Sequence, residues 1–510
     1  MQTSKQPSKS KPPKPKPPAP PPDPGPSPNP TPSSLLQQIN HIVVVMLENR
    51  SLDHLLGFLY KSSGNLSALG QPFEGLKGNE TNPDGSGGSV QVFPINPTSP
   101  HPYFMPGANA GEGYLNTNSQ LFGTTQAPNP IAPASNNGFV TNFAYTLSWE
   151  SKESGSVIAG TTLSQIMGIY SPQTLPILSA LARGYAVCDH WFASAPTETF
   201  PNRAFVNMAT SQGYLQDKST SVYTAPSIYT ALSNKSLSWS VYGYDAPPLT
   251  RGSVADITHA AESHFGQFPD FQAAAKNGSL ANYVFLEPQW GSSGNSEHPN
   301  YDMSKGEQFL HDVYYSLIAT PVWNQTLLIV TYDEHGGCYD HVSPPENAVP
   351  PDNSAGELGF DFKRFGLRVP TLLISPRIAA GTVFRTTSVT PFDHTSILAT
   401  VEERFGLPSL TARDAAAPHV GAVLTLATPR TDDPLSGVTV PVSAGKSTVS
   451  AKPDKFQCAL AETAASLPLK EDEDARRQGH HHVMPQFTTG SEAVAYARRR
   501  FAQYSRERRG

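Results

Sequence analysis

The chain has 510 residues, 38% of them hydrophobic and 15% charged, which is enough apolar surface for one large domain or two ordinary ones. A formal net charge of -6 excludes the basic surface of a general nucleic-acid binder, so a phosphate-bearing substrate would have to meet positive charge locally, from a metal or from histidines. No apolar run approaches the ~20 residues of a membrane span, and no charged stretch followed by an apolar one opens the chain, so neither a transmembrane segment nor a signal peptide of the usual kind is expected and the compartment stays undecided.

Residues 1–34 are rich in proline and lysine and nearly devoid of apolar side chains. They read as a disordered tether sampling extended polyproline conformations, with a proline-rich ligand for a partner's aromatic groove as the sharper alternative. A single folded region follows over 35–465. Its first run, His41-Ile-Val-Val-Val-Met-Leu47, is continuously apolar and β-branched, the pattern of a strand covered on both faces. Asn282–Leu286, Leu327–Tyr332 and Val369–Ile374 read the same way, with helical patterns such as Gln308–Ile318 and Ser396–Phe405 between them. Strands alternating with helices predict an α/β fold with a mostly parallel sheet sandwiched by helices. Residues 62–136 are rich in Gly, Asn, Pro and Ser, and read as long loops beside a site or as an insertion, rather than a second core. Three distant cysteines (Cys188, Cys338, Cys458) exclude a disulfide framework and leave room for one bridge. From 466 to 510 the chain becomes a charged extension, with an acidic run Glu471–Asp474, a triplet His480–His482 that reads as a solvated loop, and an amphipathic helix over Ser491–Arg509 showing Val494, Ala497, Phe501 and Tyr504 on one face.

In an open parallel sheet, ligands bind beyond the carboxyl ends of the strands. Glu48-Asn49 directly follows the first strand and Asp333-Glu334 follows Leu327–Tyr332. Together they offer four oxygen donors, a set suited to one divalent ion of the Mg²⁺, Ca²⁺ or Mn²⁺ type rather than Zn²⁺. In Thr197-Glu-Thr-Phe-Pro-Asn-Arg203 the proline marks a first helical turn, which puts Thr199 near a helix N-terminus. Thr199 is then either a nucleophile favoured by the dipole or merely the helix cap. Histidines on strand-end loops (His298, His335, His341, His394) could protonate a leaving group or steady phosphoryl oxygens. Asn202, in the threonine segment, joins His298, His335 and His341 as a substrate-contacting candidate. Phe93, Phe104, Leu121 and Phe122 could form an apolar rim for a lipid, or could pack within their loops.

Glu48-Asn-Arg-Ser-Leu-Asp-His54, Cys188-Asp-His-Trp-Phe192, Thr199-Phe-Pro-Asn-Arg203, Ser296-Glu-His-Pro299, Asp333-Glu-His-Gly-Gly337 with Tyr339-Asp-His341, and Asp393-His-Thr-Ser396 occur in this order. They resemble the bacterial phospholipase C and acid phosphatase A phosphoesterase family over roughly residues 40–415. The resemblance implies an alkaline-phosphatase-like core with one metal ion held by Glu48, Asn49, Asp333 and Glu334. It also implies a metal-associated Thr199 that forms a phospho-enzyme, and a catalytic His298 that contacts phosphate. The reaction implied is metal-dependent hydrolysis of a phosphate ester or phospholipid; the alternative is a phosphate- or phospholipid-binding protein on the same scaffold. Members of that family often carry a further histidine where Glu112 stands here. A carboxylate there would repel phosphate unless protonated or metal-bound, and Glu198 adds a second negative group beside Thr199.

Overall fold

The computed structural model describes residues 35–153, 157–217, 223–291, 294–445, 452–453, 455–470, 472 and 484–509. The proline-rich segment 1–34, the His480–His482 triplet and all of the acidic run except Asp472 lie outside the described residues.

The first apolar run forms strand β1 (His41–Leu47), buried from Ile42 onward because neighbours cover both its faces. The same central sheet contains β2 (Ala186–Cys188), β3 (Trp239–Gly243), β4 (Phe265–Gln267), β5 (Tyr283–Leu286), β6 (Thr326–Tyr332), β7 (Thr371–Ile374) and β8 (Thr382–Val383). Its order is β8-β2-β7-β6-β1-β5-β3-β4. All neighbours pair in parallel except β7, which runs antiparallel to both β6 and β2. The helix Met303–Ile318 buries Phe309, Leu310, Val313, Tyr314 and Leu317 in one continuous core with these strands. The α/β architecture is therefore the mostly parallel one that the alternation of apolar runs predicts.

The register of β1 against β6 places the site. Leu47 lies opposite Tyr332, so the residues that leave both strands emerge side by side. The backbone N–H of Asp333 closes this pairing by donating to the carbonyl of Leu47 at 3.3 Å.

The stretch 62–136 differs from its reading as coreless loops. It contributes the short pair Thr81–Pro83 and Ser89–Gln91 and the strand Phe93–Ile95, which pairs with Gly168–Tyr170. Leu76, Val92 and Leu121 join Phe58, Phe139, Val140 and Ile169 in a smaller apolar cluster. Its members are drawn from more than a hundred residues of chain, so no local period announces them. Phe104 and Leu121 are buried, and Phe93 and Phe122 pack against this cluster, so the four apolar residues are loop packing and not a lipid rim. The helix Gly490–Arg509 buries Val494, Ala497, Phe501 and Tyr504, and its Arg500 donates to the carbonyl of Ala464 at 3.0 Å in the helix Lys455–Ser466. Among the described residues no helix is long and apolar enough to cross a membrane.

Candidate active site

Glu48, Asn49, Asp333 and Glu334 are all fully or almost fully buried at the carboxyl ends of β1 and β6. Asn49 sits in the left-handed region at φ 57°, which turns its backbone N–H onto the Asp333 Oδ1 at 2.9 Å. The same oxygen accepts from the Glu334 N–H at 2.8 Å. The glycines of the Asp-Glu-His-Gly-Gly segment are there because chain passes close by. A Cβ on Gly336 would lie 1.9 Å from the carbonyl oxygen of Asn49, and Gly336 adopts φ +64°.

Thr199 is the first residue of the helix Thr199–Met208, after Glu198 at the cap position. Its hydroxyl does not cap that helix. It donates to Asn49 Oδ1 at 3.1 Å, while the next backbone N–H, that of Phe200, is satisfied by Asp217 Oδ1 at 2.7 Å. The cap reading of Thr199 is thereby corrected: Glu198 holds the cap position without a side-chain hydrogen bond to the turn, Asp217 takes the Phe200 N–H, and the Thr199 hydroxyl faces Asn49. One turn later Arg203 donates from Nε to Asp333 Oδ2 at 3.0 Å and from an Nη to the carbonyls of Met46 and Leu47. Its guanidinium lies 4.7 Å from the centre of the Trp290 ring, a cation–π contact.

His298 is buried, with Nδ1 3.0 Å from the carbonyl of Pro299 and Nε2 3.8 Å from Glu112 Oε2. Burial alone would depress its pKa, but the Glu112 and Glu48 carboxylates outweigh burial and raise it to about 9. Buried Arg50 fixes this segment by donating to the carbonyls of Glu297, His298 and Met105 at 2.6, 3.2 and 2.8 Å.

Glu112 needs neither a proton nor a metal to be tolerated here. Burial raises its pKa, but the Lys455 ammonium, 2.6 Å from Oε1, and His298 hold it well below the usual carboxylate range. Its Oε2 accepts from Asn49 Nδ2 at 2.6 Å. Lys455 also lies 2.6 Å from Asp217 and 3.5 Å from Glu198. Burial and the nearby Asp217 push the Glu198 carboxyl up to about 7. Phe456, next to Lys455, stacks on Trp290 at 5.9 Å and packs against Phe200 and His298.

The remaining candidates have most of their polar atoms committed to the protein. Asn202 Oδ1 accepts from the Ala195 N–H, and its Nδ2 donates to the carbonyls of Ala195, Thr197 and Glu198, so it shapes the turn before Thr199. His335 has Nδ1 3.1 Å from Glu334 and Nε2 2.7 Å from Gln120, and burial lowers its pKa to about 3. His394 Nε2 contacts the carbonyl oxygen of Asp333 at 2.6 Å, behind the site. His341 joins Asp53 at 2.6 Å, and Asp53 and Asp340 both pair with buried Arg368. The ligand atoms of Asp53, Asp340 and His341 lie within 4.8 Å of one another, a spacing that could hold a metal ion. The Arg368 guanidinium already supplies that cluster with its cation.

At the two strand ends, Glu48 Oε1 and Glu334 Oε1 are buried and have no hydrogen-bond partner among the described residues. Burial pushes the Glu48 carboxyl up to about 8 and that of Glu334 well above its ordinary value. Unpartnered buried acceptors are costly unless something positive meets them. A hard cation fits that need and that donor set.

Arg50, Arg203, Lys455 and Phe456 were not among the residues picked out from the sequence. Arg203 carried a readable signal, since it is four residues after Thr199 and so shares its helix face. Lys455 carried none, being 343 residues from Glu112 along the chain.

The profile of the Phosphoesterase family matches residues 39–408. Non-specific phospholipase C6 of Arabidopsis thaliana is 33% identical over 448 residues, covering 84% of this chain and 81% of that protein. Phospholipase C A of Mycobacterium tuberculosis (strain ATCC 25618 / H37Rv) is 29% identical over 444 residues, covering 77% and 78%. Among solved structures, a protein of the alkaline phosphatase superfamily from Vibrio parahaemolyticus aligns at 14% identity and a TM-score of 0.29, over 48% of this chain and 64% of that one.

Proposed function

The chain belongs to the Phosphoesterase family, and from that premise we propose that it cleaves phospholipids or related phosphodiesters in the manner of a phospholipase C, through a phosphoryl group carried on Thr199. The observation that supports this most is the Thr199 hydroxyl, bonded to Asn49 Oδ1 at 3.1 Å beside the unpartnered oxygens of Glu48 and Glu334. A divalent cation bound by Glu48, Asn49, Thr199, Asp333 and Glu334 would lower the hydroxyl's pKa and balance phosphoryl charge.

The chain's own residues supply the rest. Helix Thr199–Met208 presents its N-terminal end to the phosphate, where the dipole favours negative charge. With its proton released to solvent, Thr199 Oγ1 forms the new bond to phosphorus as the bond to the alcohol oxygen breaks. His298, with Nδ1 held by the Pro299 carbonyl, keeps Nε2–H as the proton donor to that leaving oxygen. Water then attacks the phosphothreonine and releases the phosphomonoester. Asn202, His335 and His341 act in this reading by positioning the surrounding chain. Arg203 holds Asp333 in place.

The test is Thr199→Val assayed on soluble chromogenic phosphate monoesters and diesters with Mg²⁺, Ca²⁺ or Mn²⁺. Turnover should vanish while the thermal midpoint stays near that of the native protein. Turnover retained in the variant would remove the nucleophile from the account.

A further inference from the structure

A side-chain amide reads the same in outline either way round, so the partners of Asn49 decide which end faces Thr199. One partner leaves no choice. Glu112 is an acceptor only, and its Oε2 takes a hydrogen bond from Asn49 Nδ2 at 2.6 Å. Oδ1 of Asn49 is thereby turned toward the Thr199 hydroxyl, 3.1 Å away. Glu112 is in turn held from its other oxygen by Lys455 at 2.6 Å, and Lys455 is held by Asp217 at 2.6 Å.

We propose that Glu112 is a positioning residue for the reaction: clamped by Lys455, it locks the Asn49 amide with oxygen toward Thr199 and the strand-end donors, and Lys455 keeps that lock in a single sense. The inference rests on the Thr199 reading above. It gives the carboxylate at this position a task that its charge alone would not suggest. It also makes the helix Lys455–Ser466 part of the site, because the clamping ammonium is that helix's first residue.

The lock has an atomic signature. In Glu112→Gln the amide oxygen of residue 112 is the end that suits Lys455, which turns an NH₂ toward Asn49. Asn49 must then reverse and present its own NH₂ to Thr199. With Lys455→Met added, the NH₂ of the new glutamine can face Glu198 and Asp217, and its oxygen again faces Asn49. Outer-shell partners of this kind are worth roughly 10–100-fold in metal affinity or activity.

The experiment compares the native protein with Glu112→Gln, Lys455→Met and the double variant. It uses a soluble chromogenic phosphodiester for kcat and KM, calorimetric titration with Mn²⁺ for cation affinity, and a thermal melt as the folding control. Glu112→Gln should lose roughly 10–100-fold in kcat and in Mn²⁺ affinity, with KM little changed. Lys455→Met should lose less, and the double variant should regain most of what Glu112→Gln lost. Native kcat and Mn²⁺ affinity in a folded Glu112→Gln protein would overturn the proposal, as would a loss confined to KM. A folded double variant no better than Glu112→Gln would overturn it too. If the double variant melts early, the order of the two single variants decides, and Lys455→Met as impaired as Glu112→Gln contradicts the lock. The parent reading fails separately: Thr199→Val retaining turnover removes the nucleophile, whereas Mn²⁺ affinity still reads the Asn49 amide.

Discussion

At the scale of the residue, His298 shows how burial and charge compete. A buried imidazole surrounded by apolar groups would lose its proton, yet Glu112 and Glu48 hold its pKa at about 9. The sign follows from the role. If the imidazolium donates to the leaving oxygen, turnover needs the protonated form, so kcat should stay level through neutrality and fall as pH rises through about 9. His298→Gln should lower kcat by about 10²–10⁴-fold, the usual span for one proton donor, and should erase that alkaline limb. A variant with lowered kcat and the same alkaline limb would assign the limb to another group. The acids and imidazoles at this scale were largely legible in the sequence, because chemistry-bearing residues cluster just past apolar runs. Their division of labour was not. Asn202 and His335 look like substrate contacts in a line of text, and only their partners show that they are occupied in holding chain.

At the scale of the element, the site is a consequence of register. Strands β1 and β6 were readable as continuous apolar runs, and so was the placing of polar pairs at their ends. Their adjacency was not, since a fully buried strand carries no mark of which neighbour it pairs with. The antiparallel direction of β7 was hidden for the same reason: an apolar run of four buried residues reads identically in either direction. Gly336 is where two of these strand ends touch. Gly336→Ala would drive a Cβ to 1.9 Å from the Asn49 carbonyl at a backbone angle that L-residues avoid. The expected result is a loss of at least about 1–3 kcal/mol of stability in a denaturant melt, together with loss of turnover, because Asn49 must move. A Gly336→Ala protein with native stability and native kcat would show that the two strand ends can separate without cost.

At the scale of the whole molecule, the phosphoesterase core is completed from the far end of the chain. The helix Lys455–Ser466 lies beyond the 39–408 span of the family match, yet it lays Phe456 on Trp290, Phe200 and His298. No local pattern in the sequence could announce this, because each contact partner is more than 150 residues away along the chain. Phe456 is 4% exposed. Phe456→Ala should therefore cost about 3–5 kcal/mol of stability and lower turnover as well, since Trp290 and His298 lose a shared wall. A variant that melts early but keeps native kcat would make the helix an external brace with no part in the site.

The claim on which all three scales converge is that Thr199 carries the phosphoryl group. The most direct measurement is rapid acid quench of the protein turning over a phosphodiester, followed by mass spectrometry of the peptide containing Thr199. The account predicts one adduct on Thr199, the substrate's phosphoryl group with its remaining alcohol still esterified, formed within the first turnover, decaying as substrate runs out and absent from Thr199→Val. Sustained turnover with no phosphorylated threonine at any quench time, or a phosphoryl group on another residue, would contradict it.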